Sequence, residues 1–208
     1  LYRINSQSRA LEEALRREKI PYKIIGGVEF YKRKEIKDIV GYLRILSNQN
    51  DEESLLRIMN FPQRGIGNTS ISKMIAFARK LELSLFMTMS RVFEVIEVKE
   101  RIQKNVKSFK ILLDKYIELK DQLSLSELCA ALIDDLGILK MYKEENSVES
   151  KQRYENVQEL LAGITEYTKS NPKATMDDFL SEVSLISGID QYEESSNYVT
   201  LMTIHSSK

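Results

Sequence analysis

The stretch Asn60-Phe61-Pro62-Gln63-Arg64-Gly65-Ile66-Gly67-Asn68-Thr69 carries the sharpest local chemistry in the chain. Gly65-Ile66-Gly67 lets backbone amides approach a ligand with no Cβ in the way. Ile66 can anchor a hairpin in a core, and Asn68 or Thr69 can cap the helical run from Ser70 to Lys80. Open N–H groups and the dipole at such a helix start favour an anion. That is the logic of a helix-hairpin-helix phosphate clamp. Arg64 before the hairpin and Lys73 one turn into the helix would add charge against the same duplex backbone. A tight helix–helix turn in which glycine merely supplies a positive φ uses the same residues, and the motif alone leaves both readings open.

Other candidates are weaker. Tyr31-Lys32-Arg33-Lys34-Glu35-Ile36-Lys37-Asp38 is a second basic cluster. Lys34, Lys37 and Arg44 fall near one helical face, away from the apolar Ile36, Ile39 and Leu43, so they could line a phosphate track; a solvated helix start accounts for them equally. His205 is the only histidine and cannot build a zinc site alone, and no Gly-x-Ser-x-Gly or Cys–His pairing supports a nucleophile. Carboxylates form no recognisable pair, and no Gly-x-x-x-x-Gly-Lys-Thr phosphate loop occurs. Cys129, between Leu128 and Leu132 on an apolar helical stretch, reads as core rather than reactive.

The elements that must position these residues are mostly helical. A helix capped by Ser6 would run through Leu11, Ala14 and Leu15 to Ile20-Pro21, followed by a short strand from Tyr22 to Ile25 and Gly26-Gly27. Ile36, Ile39, Val40, Leu43 and Leu46 mark one face of the next helix, and Asp51 caps another carrying Leu55, Leu56 and Met59. Val98 to Tyr116 and Tyr154 to Tyr167 show three- and four-residue apolar steps over two long amphipathic helices. A shorter helix from Leu125 to Leu136 ends at Gly137, and the polar 143–150 segment reads as a loop. Tyr198 to Ile204 is a β-branched, apolar, strand-like run, and Leu1 to Ile4 could be the tail of another strand. Two strand fragments at opposite ends suggest a helical domain, of roughly residues 30–196, inserted into an α/β parent.

The 208 residues hold 31 Lys+Arg against 31 Asp+Glu, one His and one Cys. Net neutrality argues against a wholly basic nucleic-acid coat, and no apolar run approaches the ~20 residues of a membrane span. A single cysteine and the lack of a signal-like start point to a reducing, cytoplasmic setting. The neutrality hides a gradient: residues 1–110 carry 22 Lys+Arg and 13 Asp+Glu, a net +9, and residues 111–208 carry 9 and 18, a net −9. A basic half is expected of a surface that meets phosphate.

Tyr2-Arg3-Ile4-Asn5-Ser6-Gln7-Ser8-Arg9 with Leu11-Glu12, then Ile20-Pro21-Tyr22, Gly26-Gly27, Phe30-Tyr31, Arg33, Glu35-Ile36-Lys37-Asp38 and Tyr42-Leu43-Arg44, resemble the UvrD/PcrA/Rep family of superfamily 1 DNA helicases. Asn60, Pro62, Arg64-Gly65-Ile66-Gly67 and Thr69 continue the resemblance, and Val199 to Lys208 looks like the start of the family's motif V. The resemblance covers both ends and the first third; residues 85–195 match only in helical character.

That resemblance implies a parent that is an ATP-driven 3′-to-5′ DNA helicase using Mg²⁺, with neither group bound by this segment. By the same resemblance, residues 1–29 would be the edge of a RecA-like domain 2A, 30–196 the mainly α 2B domain, and 197–208 the return strand to 2A. Asn5 and His205 would contact single-stranded DNA. Gly65, Ile66, Gly67 and Thr69 would grip duplex DNA, with Arg64, Lys73 and Lys37 as phosphate partners. The 2B domain would swivel near Gly26-Gly27 and Ser195-Ser196. A competing expectation is a helical protein-interaction module of a repair or helicase–nuclease complex, in which the acidic helices after Lys110 dock a repair protein and the hairpin is structural.

Overall fold

The structure, a computed structural model, describes residues 1–3, 7–18, 20–25, 28–188 and 198–203. Among these residues lie ten α-helices and one two-stranded parallel sheet, so the chain is mainly α. It divides into two compact units, 1–37 with 138–208, and 38–137. Both divisions fall within the 30–196 segment read as the helical insertion.

The first unit holds α1 (Ser8–Arg17), β1 (Tyr22–Ile25), a 3₁₀ turn at Phe30–Lys32 and the first turn of α2 (Lys34–Ser47). It is completed by α8 (Ile138–Glu145), α9 (Val148–Ser170), α10 (Met176–Gly188) and β2 (Val199–Met202). β1 and β2 pair in parallel, with Tyr22 opposite Val199 and Ile25 opposite Met202. Tyr2 bridges Thr203, also in parallel, and the Tyr2 amide donates to the Met202 carbonyl at 3.1 Å. The strand segments near the two ends of the chain thus meet in one parallel ribbon. Phe30, Ile138, Val157, Leu160, Ile164 and Phe179 form the apolar core of this unit.

The second unit holds the rest of α2, then α3 (Glu52–Ile58), α4 (Asn68–Lys80), α5 (Leu85–Ser90), a 3₁₀ turn at Val92–Glu94, α6 (Glu100–Leu119) and α7 (Leu125–Asp135). Asp51 caps α3 as its sequence implies, with Oδ1 accepting from the Ser54 amide at 2.9 Å. Ser124 and Glu127 cap each other's amides at the start of α7, and Gly137 at φ +65° follows that helix. α2 departs from the single apolar stripe read in the sequence, because Tyr42 and Ile45 are buried as fully as Ile36 and Leu43. Gly41 permits this: a Cβ there would stand 3.1 Å from the Ile58 side chain. Cys129 is in the core of this unit, and burial pushes its thiol up to about 12.

One sequence expectation needs correction. The polar 143–150 segment is not a loop: α8 continues through Glu145 and α9 begins at Val148. Asn146 turns the chain at φ +49°, and Ser147 and Ser150 then cap each other's amides, so the polar run is two helix ends back to back.

Candidate nucleic-acid interface

Between α3 and α4 the chain makes a tight hairpin whose polar groups are divided between interior and surface. Ile66 is fully buried and pins the tip to the core. Asn60 Oδ1 accepts from two hairpin amides, Arg64 N at 2.9 Å and Ile66 N at 3.0 Å. Arg64 Nη1 donates to the carbonyls of Ile58, Phe61 and Pro62 at 3.1, 2.7 and 3.2 Å, and Nη2 donates to the Tyr42 hydroxyl at 2.6 Å. The guanidinium carbon sits 4.1 Å from the centre of the Phe109 ring. The Tyr42 hydroxyl in turn donates to the Phe61 carbonyl, and burial pushes it up to about 12 against the opposing pull of Arg64, so it keeps its proton at neutral pH. From α6, Asn105 Nδ2 donates to the Arg64 carbonyl at 2.8 Å.

The carbonyls of Phe61, Pro62 and Arg64 are therefore taken up by protein donors, while the hairpin amides at 65, 67, 68 and 69 meet no acceptor among the described residues. Gly67, not Asn68 or Thr69, is the N-cap of α4, and no side chain caps it. This corrects the expectation that Asn68 or Thr69 would cap: both already lie inside the helix, where their own amides are among its unsatisfied donors. Gly65 adopts φ +71°, in the left-handed region that favours glycine. Gly67 sits at φ −81° in extended backbone, and a Cβ there would meet nothing within 4 Å.

A family model described as the UvrD-like helicase C-terminal domain matches residues 1–208. The chain belongs to this family. The ATP-dependent DNA helicase PcrA of Staphylococcus epidermidis is 38% identical over 210 residues, covering all of this chain and 28% of the relative. The protein of the same name from Bacillus subtilis is 37% identical over 214 residues, covering all of this chain and 29% of its own length. The chain thus spans under a third of these relatives.

In this UvrD-like C-terminal domain, the sites read from sequence are placed unevenly. Arg64, Gly65, Ile66, Gly67, Thr69 and Lys73 all belong to the second unit, and Lys73 Nζ donates to the Glu97 carbonyl at 2.8 Å. Lys37 is exposed on the first turn of α2, in the first unit. Asn5, His205, Gly26-Gly27 and Ser195-Ser196 lie outside the described residues. Arg9, which shares a motif with Arg3 and Asn5, is buried among carboxylates: Nη1 meets Glu13 at 2.6 Å, Nε meets Glu159 at 2.7 Å and Nη2 meets Glu166 at 3.6 Å. Arg33 donates to Asn156 at 2.8 Å and Ser8 at 2.6 Å, while Asn156 donates to Glu35 at 2.5 Å. Much of the motif that carries the family resemblance is thus a buried polar lattice holding the first unit together.

Sequence reasoning missed Tyr42, Asn105 and Phe109 as the hairpin's supports. Asn105 follows Arg64 by 41 residues, and no local spacing announces such a partner. Among the described residues, no group of three or more His, Cys, Asp or Glu could hold a metal ion, and no helix is long and apolar enough to cross a membrane.

Proposed function

We propose that this domain is the duplex-gripping 2B part of an ATP-dependent 3′-to-5′ DNA helicase, and that the 65–69 hairpin holds DNA by its phosphates. Gly67 carries the reading. Its backbone does not require glycine, and its surroundings would accommodate a larger residue. Glycine is a favourable N-cap residue, and it also leaves the open amides around it clear for an anion from outside the chain. Ile66 anchors the hairpin, Gly65 forms its turn, and the amides of Gly67, Asn68 and Thr69 meet phosphate oxygens without reading bases. Arg64 then acts as a brace, since its donors hold three carbonyls and Tyr42. Lys73 and the exposed Lys37 supply charge to the duplex backbone.

The remaining assignments rest on the family resemblance. Asn5 and His205 follow the single strand, residues 1–29 and 197–208 belong to the RecA-like domain 2A, and 30–196 form 2B. ATP and Mg²⁺ enter with the rest of the helicase. This chain carries no Gly-x-x-x-x-Gly-Lys-Thr loop, so in this reading the phosphate-binding loop belongs to another part of the helicase. Names of the relatives, ATP-dependent DNA helicases, support this placement.

The decisive experiment is Gly67→Val. A Cβ at this position meets nothing within 4 Å, and the two methyl groups of a valine would stand where a phosphate approaches. Fluorescence anisotropy with a tailed DNA duplex should show at least a tenfold loss of affinity, with a cooperative thermal melt retained and lowered only by the loss of a favourable N-cap residue. Retained affinity would exclude the clamp and favour a structural hairpin in a protein-interaction module.

A further inference from the structure

The two cations that the sequence places at the hairpin are already engaged: Arg64 with three carbonyls and Tyr42, and Lys73 with the Glu97 carbonyl. Lys73 is thereby held against the segment before α6, and a further cation without a protein partner among the described residues lies on that neighbouring helix. Asn105 ties α6 to the hairpin through the Arg64 carbonyl, and a Cβ on Gly65 would stand 3.8 Å from Asn105 Nδ2. Four residues earlier in the same helix is Arg101, one turn and about 6 Å along the axis, and rotated by only about 40° from Asn105. Arg101 is exposed and has no hydrogen-bond or ion-pair partner among the described residues. Lys104, on the flank of that face, is exposed and pairs only with the exposed Glu100 at 2.7 Å, a solvent-screened contact that a phosphate can displace. The Lys73–Glu97 bond holds the segment just before α6 against α4, so both ends of this stretch are fixed to the hairpin's helix or its tip.

We infer that the first turns of α6 form a second duplex-DNA contact, in which Arg101 meets a phosphate next to the one held by the hairpin amides and Lys104 extends the track. This deepens the clamp reading and rests on it. The occupant is a nucleic-acid backbone because the two elements together offer what a phosphodiester needs: open N–H groups with no side chain in the way, and a guanidinium one turn along the helix that Asn105 ties to them. Asn105 is the positioning residue that keeps the two in register.

Salt-dependent binding separates the possibilities. The chain would be titrated into a fluorescein-labelled tailed duplex from low to moderate salt as wild type, Arg101→Ala, Arg101→Lys, Lys104→Ala, Gly67→Val and Lys151→Ala, the last removing an exposed lysine from α9 in the first unit. Loss of one phosphate contact should reduce the slope of log K against log salt by ~0.9, with an affinity loss of roughly threefold to tenfold at low salt. That result is expected for Arg101→Ala, with Arg101→Lys restoring the slope, Lys104→Ala giving a smaller reduction and Lys151→Ala giving none. If Gly67→Val abolishes binding while Arg101→Ala keeps the wild-type slope, the α6 contact is wrong and the hairpin clamp stands. If Gly67→Val binds normally, the clamp fails; a reduced Arg101→Ala slope in that background would leave α6 as a DNA surface in its own right, and an unchanged one would overturn both. Displacement of the duplex by polyglutamate at equal charge concentration would assign Arg101 to acidic proteins and overturn the DNA contact.

Discussion

Arg64 shows how a residue's type can be legible while its task is not. In sequence it is a cation beside a glycine hairpin; in the fold its guanidinium bridges three carbonyls and a phenol over an aromatic ring. Arg64→Ala should therefore lower stability by about 2–3 kcal/mol, because the carbonyls and the Tyr42 hydroxyl lose donors they cannot all replace with water. Thermal unfolding followed by circular dichroism measures this. If Arg64 braces rather than binds, the folded variant keeps the wild-type salt slope for duplex DNA. Cys129 makes a second test at this scale. Its thiol is held far above its ordinary value by burial, so the folded chain binds the proton more tightly than the unfolded one, and the stability this group contributes falls as pH rises from the unfolded value toward about 12. Iodoacetamide at pH 8 should label Cys129 only in denaturant; rapid native labelling, read by mass spectrometry, would show that the α7 core opens.

At the scale of elements, the hairpin depends on one side chain for its shape. Asn60 Oδ1 gathers the amides of Arg64 and Ile66, so Asn60→Ala leaves both without that acceptor and should cost about 1–2 kcal/mol. Broadened amide resonances confined to 60–67 in the nitrogen-15 spectrum would be the accompanying sign; an unchanged spectrum and melt would mean the backbone path is set by Ile66 alone. A close approach of a different kind holds α9 in the first unit. A Cβ on Gly163 would stand 2.6 Å from Arg9 Nη1, so Gly163→Val should displace Arg9 from its carboxylates and unfold that unit at lower denaturant. Helices with strong local signals, such as α7 with its Ser124–Glu127 cap, can be read directly from residue order. The end of α8 cannot, because a polar run can be a loop or two adjoining helix ends, and the choice rests on Asn146 adopting a left-handed turn.

Charge is the property most altered on going to the whole molecule. The +9 and −9 halves of the sequence do not coincide with the compact units: residues 38–137 hold 14 Lys+Arg and 14 Asp+Glu, and the other unit holds 17 of each. Each unit is neutral, so duplex affinity must come from the local placement of a few cations rather than from a basic body. The wild-type slope of log K against log salt should therefore be modest, about −2 to −3, corresponding to two or three neutralised phosphates. A slope of about −6 or steeper would instead indicate a broad basic face and overturn the expectation of a few local contacts.

Taken alone, the sequence determined the mainly helical class, the strand-like segments near both ends, the buried anchor Ile66 and the family to which the chain belongs. These depend on local periodicity, turn chemistry and residue order, which are written consecutively along the chain. The tertiary structure decided which polar groups are spent. Arg64 and Arg9 turn inward, the amides around Gly67 stay open, and α6 is tied to the hairpin because Asn105 reaches across 41 residues to a backbone carbonyl. Hydrogen-bond satisfaction is a property of the packed whole, since each buried donor must find its acceptor wherever the fold brings one.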